Sequence, residues 1–133
     1  MLLVKTKIGP SPIAGIGIFA DEFIPKGTKI WEFREGFDMR FDENFPDTLS
    51  ESARKQFLNY TYKNPKTGKY VLCADDARFF NHSETPSAED LYFDNPTESS
   101  EGITVAARDI NPGEEITSDY RAFDGDSRHH LQF

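Results

Sequence analysis

Several features that define large classes of protein are scarce or absent in this sequence. A single cysteine, Cys73, excludes an intrachain disulfide and a cysteine-rich zinc cluster. Histidine occurs only as His82 and the adjacent pair 129–130, without partners at ligand spacing, so we expect no metal site. No run of about 18 apolar residues occurs, and the N-terminus lacks a basic segment followed by a long apolar one. We therefore expect a soluble intracellular protein of the cytoplasm that does not associate with a membrane.

Positive charge is also scarce. The 133 residues include 15 Lys and Arg against 23 Asp and Glu, which gives a formal net charge of −8 at pH 7. Such a surface repels phosphate backbones, so direct nucleic-acid binding is not expected, whereas a cationic peptide is a permitted partner. The sequence has no Gly-x-Gly-x-x-Gly segment and no alternation of strands with helices, which argues against a doubly wound nucleotide-binding fold.

The chain contains many short β-type segments separated by turns. Residues 2–8 alternate around two lysines and lead into the turn residues 9–12, and residues 15–20 form a second β-type run. Residues 24–30 and 110–116 share the pattern Ile-x-x-Gly-x-x-Ile, in which a proline-containing turn uses a glycine at positive φ before a strand begins. We expect two equivalent turns within a mostly β fold.

One helix is predicted in the middle of the chain. Residues 48–51 (Thr-Leu-Ser-Glu) fit a capping box, and apolar residues then recur at near-helical spacing, with an end near Asn59. Residues 60–63 and 69–73 follow as the two strands of a hairpin. Cys73, in the second of these strands, is expected to be buried as a small hydrophobic side chain.

The region after residue 90 predicts two more strands. Residues 91–93 and 103–107 are rich in apolar and β-branched side chains. The acidic residues 94–101 between them are expected to form an exposed and mobile loop.

Three separate segments carry groups that suit a ligand site. Residues 15–17 (Gly-Ile-Gly) either let main-chain groups approach a ligand closely or make a simple bend. Residues 81–82 (Asn-His) follow two phenylalanines and are either a ligand-binding corner or a satisfied structural pair that holds a loop. Tyr120 closes the β-patterned residues 116–120, and its hydroxyl either serves chemistry or points to water. Asp119 is expected to be structural.

In this order, residues 13–20, 78–83 and 113–120 resemble the SET-domain family of protein-lysine methyltransferases. The three segments read Ile-Ala-Gly-Ile-Gly-Ile-Phe-Ala, Arg-Phe-Phe-Asn-His-Ser and Gly-Glu-Glu-Ile-Thr-Ser-Asp-Tyr. The chain looks like the compact prokaryotic or viral members, which lack Cys-rich flanking modules. The resemblance implies a mostly β fold of the β-clip type, with several short curved sheets, one main helix and a pseudoknot-like threading of the C-terminal strand.

The resemblance also implies that residues 1–133 form a single SET domain. Its N-terminal part is expected at 11–33, a variable insert at 44–73, the C-terminal core at 77–123 and a tail at 124–133.

The activity implied by the resemblance is methyl transfer from S-adenosylmethionine to the ε-amine of a lysine in a protein or peptide substrate. Tyr120 is then the catalytic residue, and the cofactor-binding residues are Gly15, Ile16, Gly17, Asn81, His82 and Tyr120. Aromatic residues that flank these segments are candidates for the walls of a lysine channel, because ring faces accept a cation and apolar contact desolvates the alkyl stem. They are Tyr60, Tyr62, Tyr92 and Phe123.

Two positions depart from the usual pattern of the family. The family commonly writes Asn-His-Ser-x-x-Pro-Asn, whereas Ser87 follows Pro86 here, and the glycine often found after the catalytic tyrosine is Arg121. These departures keep open an alternative, a weakly active or inactive SET or β-clip module that binds a peptide or small ligand. The sequence leaves open the substrate protein, the degree of methylation and the oligomeric state.

Overall fold

The structure is a computed structural model that describes residues 1–92 and 101–119. These residues contain ten short strands, one α-helix and two 3₁₀ helices. The strands are β1 (Thr6–Pro10), β2 (Ile16–Ala20), β3 (Lys29–Glu32), β4 (Met39–Phe41), β5 (Thr61–Lys63), β6 (Tyr70–Leu72), β7 (Asn81–His82), β8 (Ala88–Leu91), β9 (Ile103–Ala106) and β10 (Thr117–Ser118). The helix α1 covers Glu51–Tyr60, and the 3₁₀ helices cover Phe45–Thr48 and Asp76–Phe79. None of the helices in these ranges has the length and apolar character needed to cross a membrane.

The described strands form four small sheets. β1 pairs with β2, β9 lies between β3 and β8, and β6 lies between β4 and β5, all in antiparallel register. The fourth sheet is the parallel pair of β7 and β10. The mostly β fold with several small sheets and one helix is therefore confirmed. Both boundaries predicted for the first strand were wrong. β1 begins at Thr6, not at residue 2, and it runs through Gly9 and Pro10, because a proline at the end of a strand does not have to donate a ladder N–H.

The two Ile-x-x-Gly-x-x-Ile segments meet in the interior. Ile24 and Ile110 form a reciprocal bridge in which each N–H donates to the other's carbonyl oxygen at 2.8 Å. Gly27 and Gly113 both adopt positive φ, at 87° and 89°, a conformation that glycine reaches without steric cost. The prediction of two equivalent turns is confirmed, and all four isoleucines that frame them are buried: Ile24, Ile30, Ile110 and Ile116.

The core surrounds these isoleucines and extends to the hairpin of β5 and β6. Trp31, the only tryptophan, is 4% exposed and makes an edge-to-face contact with Tyr62 at 6.4 Å between ring centroids. Cys73 is buried as predicted, and burial raises the pKa of its thiol, so it remains a protonated, apolar group. The predicted hairpin is confirmed by the pairing of Thr61 with Leu72.

The helix begins two residues later than the capping box predicted. Pro46 directs the chain into a 3₁₀ turn that includes Thr48, whose hydroxyl donates to the carbonyl oxygen of Phe45 at 2.7 Å. Ser50 is the N-cap of α1, because its hydroxyl oxygen accepts from the N–H of Ala53 at 3.2 Å.

The strands after residue 87 also differ from the prediction. β8 begins at Ala88 and ends at Leu91, and residue 93 lies outside the described residues. Glu101, assigned to an exposed loop, is 3% exposed, so that assignment was wrong at this residue. Its carboxylate accepts from Asn64 Nδ2 at 2.6 Å and pairs with Arg40 at 2.5 Å, and these charged contacts compensate its burial. Residues 94–100 lie outside the described residues.

Candidate functional site

The Asn-His pair lies directly beside the last described strand. In the parallel pair of β7 and β10, Asn81 is opposite Thr117 and His82 is opposite Ser118. The N–H of Ser83 continues the ladder by donating to the carbonyl oxygen of Ser118 at 3.0 Å. Two segments 34 or more residues apart in sequence thus become neighbours. Tyr120, the predicted catalytic residue, follows this strand in sequence but lies outside the described residues.

The side chain of Asn81 joins the glycine segment to this pair of strands. Its Nδ2 donates to the carbonyl oxygens of Ala14 at 3.2 Å and Ile16 at 3.3 Å, and to Glu115 Oε2 at 3.0 Å. Two carbonyls next to Gly15 are therefore occupied by Asn81. The structure brings the three predicted fragments into one corner, which we call the Asn81 corner: residues 14–17, residues 81–82 and Glu115.

The two glycines of this corner are favoured over other residues for different structural reasons. Gly15 has a φ of +45°, which side-chain-bearing residues rarely adopt, and open space where a Cβ would lie. Gly17 lies under the Glu115 carboxylate, because a Cβ there would come within 2.6 Å of Glu115 Oε2. Glu115 also accepts from the Ser11 hydroxyl at 2.8 Å.

Glu115 was not among the predicted site residues. Ile116 and Ser118 are buried core positions of the same segment, and strand alternation could have indicated that Glu115 faces the other side.

Ser87, one of the two departures from the family pattern, is completely buried. Its N–H donates to Thr117 Oγ1 at 3.1 Å, and its hydroxyl donates to the carbonyl oxygen of Glu115 at 3.0 Å. The same hydroxyl oxygen accepts from the N–H of Thr117 at 3.0 Å. This serine therefore holds the segment that leads into Tyr120. The second departure, Arg121, lies outside the described residues.

The imidazole of His82 lies close to Asp119, the last residue that the structure describes. Its Nδ1 is 3.7 Å from Asp119 Oδ1, a separation longer than a hydrogen bond but within the range of an ion pair when the imidazole is protonated. Both side chains are largely buried, at 18% and 24% exposure. This contact supports the structural role expected for Asp119, since it links β7 to the residue that follows β10.

A pocket adjoins the Asn81 corner through Phe80, the residue before Asn81. Its cavity volume is about 60 Å³, which is room for several water-sized groups. Three of the four predicted channel residues line it together: Tyr60, Tyr62 and Tyr92. The fourth, Phe123, lies outside the described residues. The remaining lining residues include Trp31, Cys73, Arg78, Asp90, Glu101 and Thr104.

Asp90 was missed by sequence reasoning although it lines this pocket. Its register in the sheet places it opposite Thr104, whose hydroxyl donates to Asp90 Oδ1 at 2.6 Å. Its Oδ2 is shielded from solvent and has no hydrogen-bond partner in the described part of the chain. Desolvation by burial raises the pKa of this carboxyl to about 6, against smaller opposing effects of the Thr104 and Ser118 hydroxyls. The Ser118 hydroxyl favours the charged form, although its geometry makes no hydrogen bond.

Comparison with known proteins agrees with the geometry. The family model described as SET domain matches residues 15–121, which include all of the Asn81 corner except Ala14 and all the residues that line the pocket. Histone-lysine N-methyltransferase 2D of Homo sapiens is 27% identical over 123 residues, and the Mus musculus protein of the same description matches equally. The match covers 91% of this chain but only 2% of the length of either relative.

Two solved structures share the fold. One is a Plasmodium falciparum protein described as a candidate histone methyltransferase, with a TM-score of 0.59, 22% identity, and coverage of 90% of this chain and 95% of that one. The other is a humanized mutant of the Chaetomium thermophilum Polycomb Repressive Complex 2 bound to an inhibitor, with a TM-score of 0.65, 21% identity, and coverage of 94% of this chain and 16% of that one. With the family match extending over most of its length, the chain belongs to the SET-domain family.

Proposed function

We propose that this domain transfers a methyl group from S-adenosylmethionine to the ε-amine of a lysine in a protein substrate. The observation that carries the proposal is the Asn81 corner, in which three distant segments meet next to an aromatic pocket. In this proposal residues 15–17 and 81–82 bind the cofactor with Tyr120, and Tyr120 is the catalytic residue. The channel for the substrate lysine is formed by Tyr60, Tyr62, Tyr92 and Phe123.

The corner has features that suit the cofactor. The Nδ2 of Asn81 is fully used by protein acceptors, whereas no described residue donates a side-chain hydrogen bond to its Oδ1. The turn at Gly15 is exposed and has open space above the backbone, so a ligand can approach it closely. When bound, S-adenosylmethionine supplies a methyl group that its positive sulfur has already activated.

The pocket has features that suit a lysine side chain. Its aromatic walls exclude water from the alkyl chain and offer ring faces to a cation. The attacking amine must be neutral, whereas a free lysine with a pKa near 10.4 is neutral only about once in a few thousand molecules at pH 7. Once the cofactor is bound, its positive sulfur and the loss of water among Trp31, Tyr62 and Tyr92 would together disfavour the charged form, and so would lower the lysine pKa for transfer.

The residues of the chain would mainly align the reactants. Transfer requires the lysine nitrogen, the methyl carbon and the sulfur on one line, which is a problem of proximity and orientation. Main-chain carbonyls and the Tyr120 hydroxyl can hold the polarised methyl by weak C–H···O contacts. Tyr120 is assigned no role as a general base, because a tyrosine hydroxyl ordinarily stays protonated at neutral pH.

Transfer of radiolabelled methyl from S-adenosylmethionine to proteins of a cell lysate tests this proposal and shows the size of the target. We expect transfer by the parent chain and loss of most transfer in Tyr120→Phe, with cofactor affinity retained in calorimetry. Tyr70→Phe is the matched control, since it removes one hydroxyl from a buried tyrosine outside the pocket and should keep transfer. Cofactor binding without transfer to any protein would favour the alternative of an inactive binding module. Transfer by Tyr120→Phe at the parent rate would remove Tyr120 from its assigned role.

A further inference from the structure

Two carboxyl side chains line the aromatic pocket, and their environments differ. Glu101 uses both oxygens within the protein, since one accepts from Asn64 Nδ2 at 2.6 Å and the other pairs with the Arg40 guanidinium. Asp90 uses only Oδ1, which accepts from Thr104 at 2.6 Å, and no cation pairs with it in residues 1–92 and 101–119. The pocket therefore contains one neutralised carboxylate and one without a counter-charge.

Among the described residues, one basic side chain lines this pocket, and its guanidinium contacts aromatic rings. Arg78 lies over the rings of Tyr60 and Phe79, with its guanidinium carbon 5.8 and 5.7 Å from their centroids. A shielded carboxylate oxygen with neither a hydrogen-bond donor nor a cation is costly, because it has lost its hydration without replacement. Such a group in a native pocket is expected to have a function.

We propose that Asp90 binds the ammonium group of the lysine side chain in this pocket and thereby selects a cationic substrate. This inference rests on the proposed function and assigns a residue to recognition of the charged lysine as it enters the pocket, before the amine loses its proton for transfer. Asp90 is a specificity-determining residue here. The hydrogen bond from Thr104 fixes the carboxyl plane through Oδ1, which leaves Oδ2 as the acceptor for the incoming N–H donor.

The pocket should bind a positively charged ligand more tightly than an uncharged ligand of the same length. A carboxylate–ammonium hydrogen bond is charge-assisted and roughly twice as strong as one between neutral groups. The rings of Trp31, Tyr62 and Tyr92 add favourable contact with a cation and its methylenes. An uncharged guest of the same length gains only the apolar contact, and it leaves the carboxylate without a partner.

Recognition through Asp90 should depend on pH. Its pKa, raised by burial to about 6, makes it mostly charged above that pH and mostly neutral below it, so affinity for a cation should fall as the pH drops through about 6. On the same strand, Glu89 points to the opposite face but lies close enough to raise the pKa of Asp90. The ionisable and charged groups that line the pocket around Asp90 are Glu101, Tyr62, Tyr92, Cys73 and Arg78.

The single tryptophan supplies a reporter for this pocket. Trp31 lines the pocket, and its Nε1–H has no hydrogen-bond partner among the described residues. The full chain labelled with ¹⁵N gives one indole signal. n-Butylammonium, which is the lysine side chain without its backbone, is titrated at constant ionic strength while this signal is followed. 1-Butanol is titrated in parallel as the neutral probe of the same length.

We expect the indole signal of the parent chain to move and saturate with n-butylammonium at pH 7.5, with affinity at least tenfold above that for 1-butanol. Asp90→Asn should reduce this preference to about twofold or less, because it keeps an oxygen for Thr104 but removes the charge. Glu89→Gln is the matched control, since Glu89 is an exposed acid on the same strand, and it should bind both probes as the parent does. Equal preference in Asp90→Asn and the parent, or an indole signal that the cation never moves, would overturn the inference.

A pH series on the parent protein keeps the test decisive if Asp90→Asn does not fold. Binding of n-butylammonium should weaken as the pH falls from 7.5 to 5, and an unchanged affinity would count against Asp90. Methyl transfer to lysate proteins is measured on the same samples. Transfer without Asp90-dependent cation binding defeats this inference and leaves the proposed function intact. Asp90-dependent cation binding without transfer defeats the proposed function, and leaves Asp90 as the cation-binding residue of a non-catalytic pocket.

Discussion

Replacement of Ser87 by alanine tests whether the buried serine holds the segment that leads to Tyr120. The change removes the hydroxyl that donates to the carbonyl oxygen of Glu115 and accepts from the N–H of Thr117, both at 3.0 Å. It leaves the buried N–H of Thr117 and the partly buried carbonyl oxygen of Glu115 without these partners. A buried group left unsatisfied costs about 1–3 kcal/mol and a partly buried one costs less, so we expect a loss of about 2–4 kcal/mol in the free energy of unfolding.

The melting temperature gives a direct measure of this loss. The entropy of unfolding near the midpoint is about 2.1 cal/mol/K per residue, so a chain of 133 residues loses roughly 3–4 °C for each kcal/mol. Thermal unfolding followed by circular dichroism should therefore show Ser87→Ala melting about 7–14 °C below the parent. Hydrogen exchange should show the amide of Thr117 losing protection, because its acceptor is gone.

Ser83→Ala is the matched control for this experiment. The Ser83 hydroxyl accepts from the N–H of Thr85 at 3.1 Å in an exposed local turn, so its removal should cost less than about 1 kcal/mol. If Ser87→Ala melts within about 2 °C of Ser83→Ala, or if the Thr117 amide keeps its protection, the assigned role of Ser87 is refuted.

Three further predictions concern the Asn81 corner and Asp90. Gly17→Ala should cost about 1–3 kcal/mol of stability in urea unfolding, because the added Cβ would lie 2.6 Å from Glu115 Oε2 and would displace a carboxylate that accepts from Ser11 and Asn81. Gly9→Ala, with its nearest contact at 3.8 Å, should fit its space, and equal losses in the two variants would contradict this. Asn81→Ala should weaken S-adenosylmethionine binding about tenfold in calorimetry, and unchanged affinity would remove Asn81 from the site. Because folding raises the pKa of Asp90 from 3.8 to about 6, the folded state binds more protons between these values. The parent should therefore gain about 1 kcal/mol of stability relative to Asp90→Asn as the pH falls from 7.5 to 5, and parallel pH profiles would show that Asp90 is not perturbed.

Much of the scaffold was predictable because local sequence and long-range structure agree. The proline and glycine of each Ile-x-x-Gly-x-x-Ile segment specify a turn by main-chain geometry alone, and the buried isoleucines that frame it then pair Ile24 with Ile110. The hairpin of β5 and β6 follows for the same reason. The helix start was missed because Thr48 and Ser50 are both good N-caps, and only the 3₁₀ turn at Pro46 decides between them.

The sequence singled out three of the aromatic residues that line the pocket, but it did not single out the carboxyl of Asp90. In the strand Ala-Glu-Asp-Leu, alternation requires that Glu89 and Asp90 point to opposite faces, but it does not say which one points inward. The register with β9 makes that choice, by pairing Asp90 with Thr104. Burial of an acid of this kind depends on a partner 14 residues away, and no local pattern contains that information.

The contacts of the Asn81 corner have a consequence for how the protein forms. Asn81 reaches back 67 residues to Ala14, and Ser11 reaches forward 104 residues to Glu115, so the corner contains almost no local interactions. Contacts between distant parts of a chain cost the most loop-closure entropy and tend to form late. A nascent chain emerging from the ribosome would therefore hold its hairpins well before it holds this corner. If the proposed function holds, the capacity of this corner to bind a ligand would arise only after residues 113–119 have been made and have reached it.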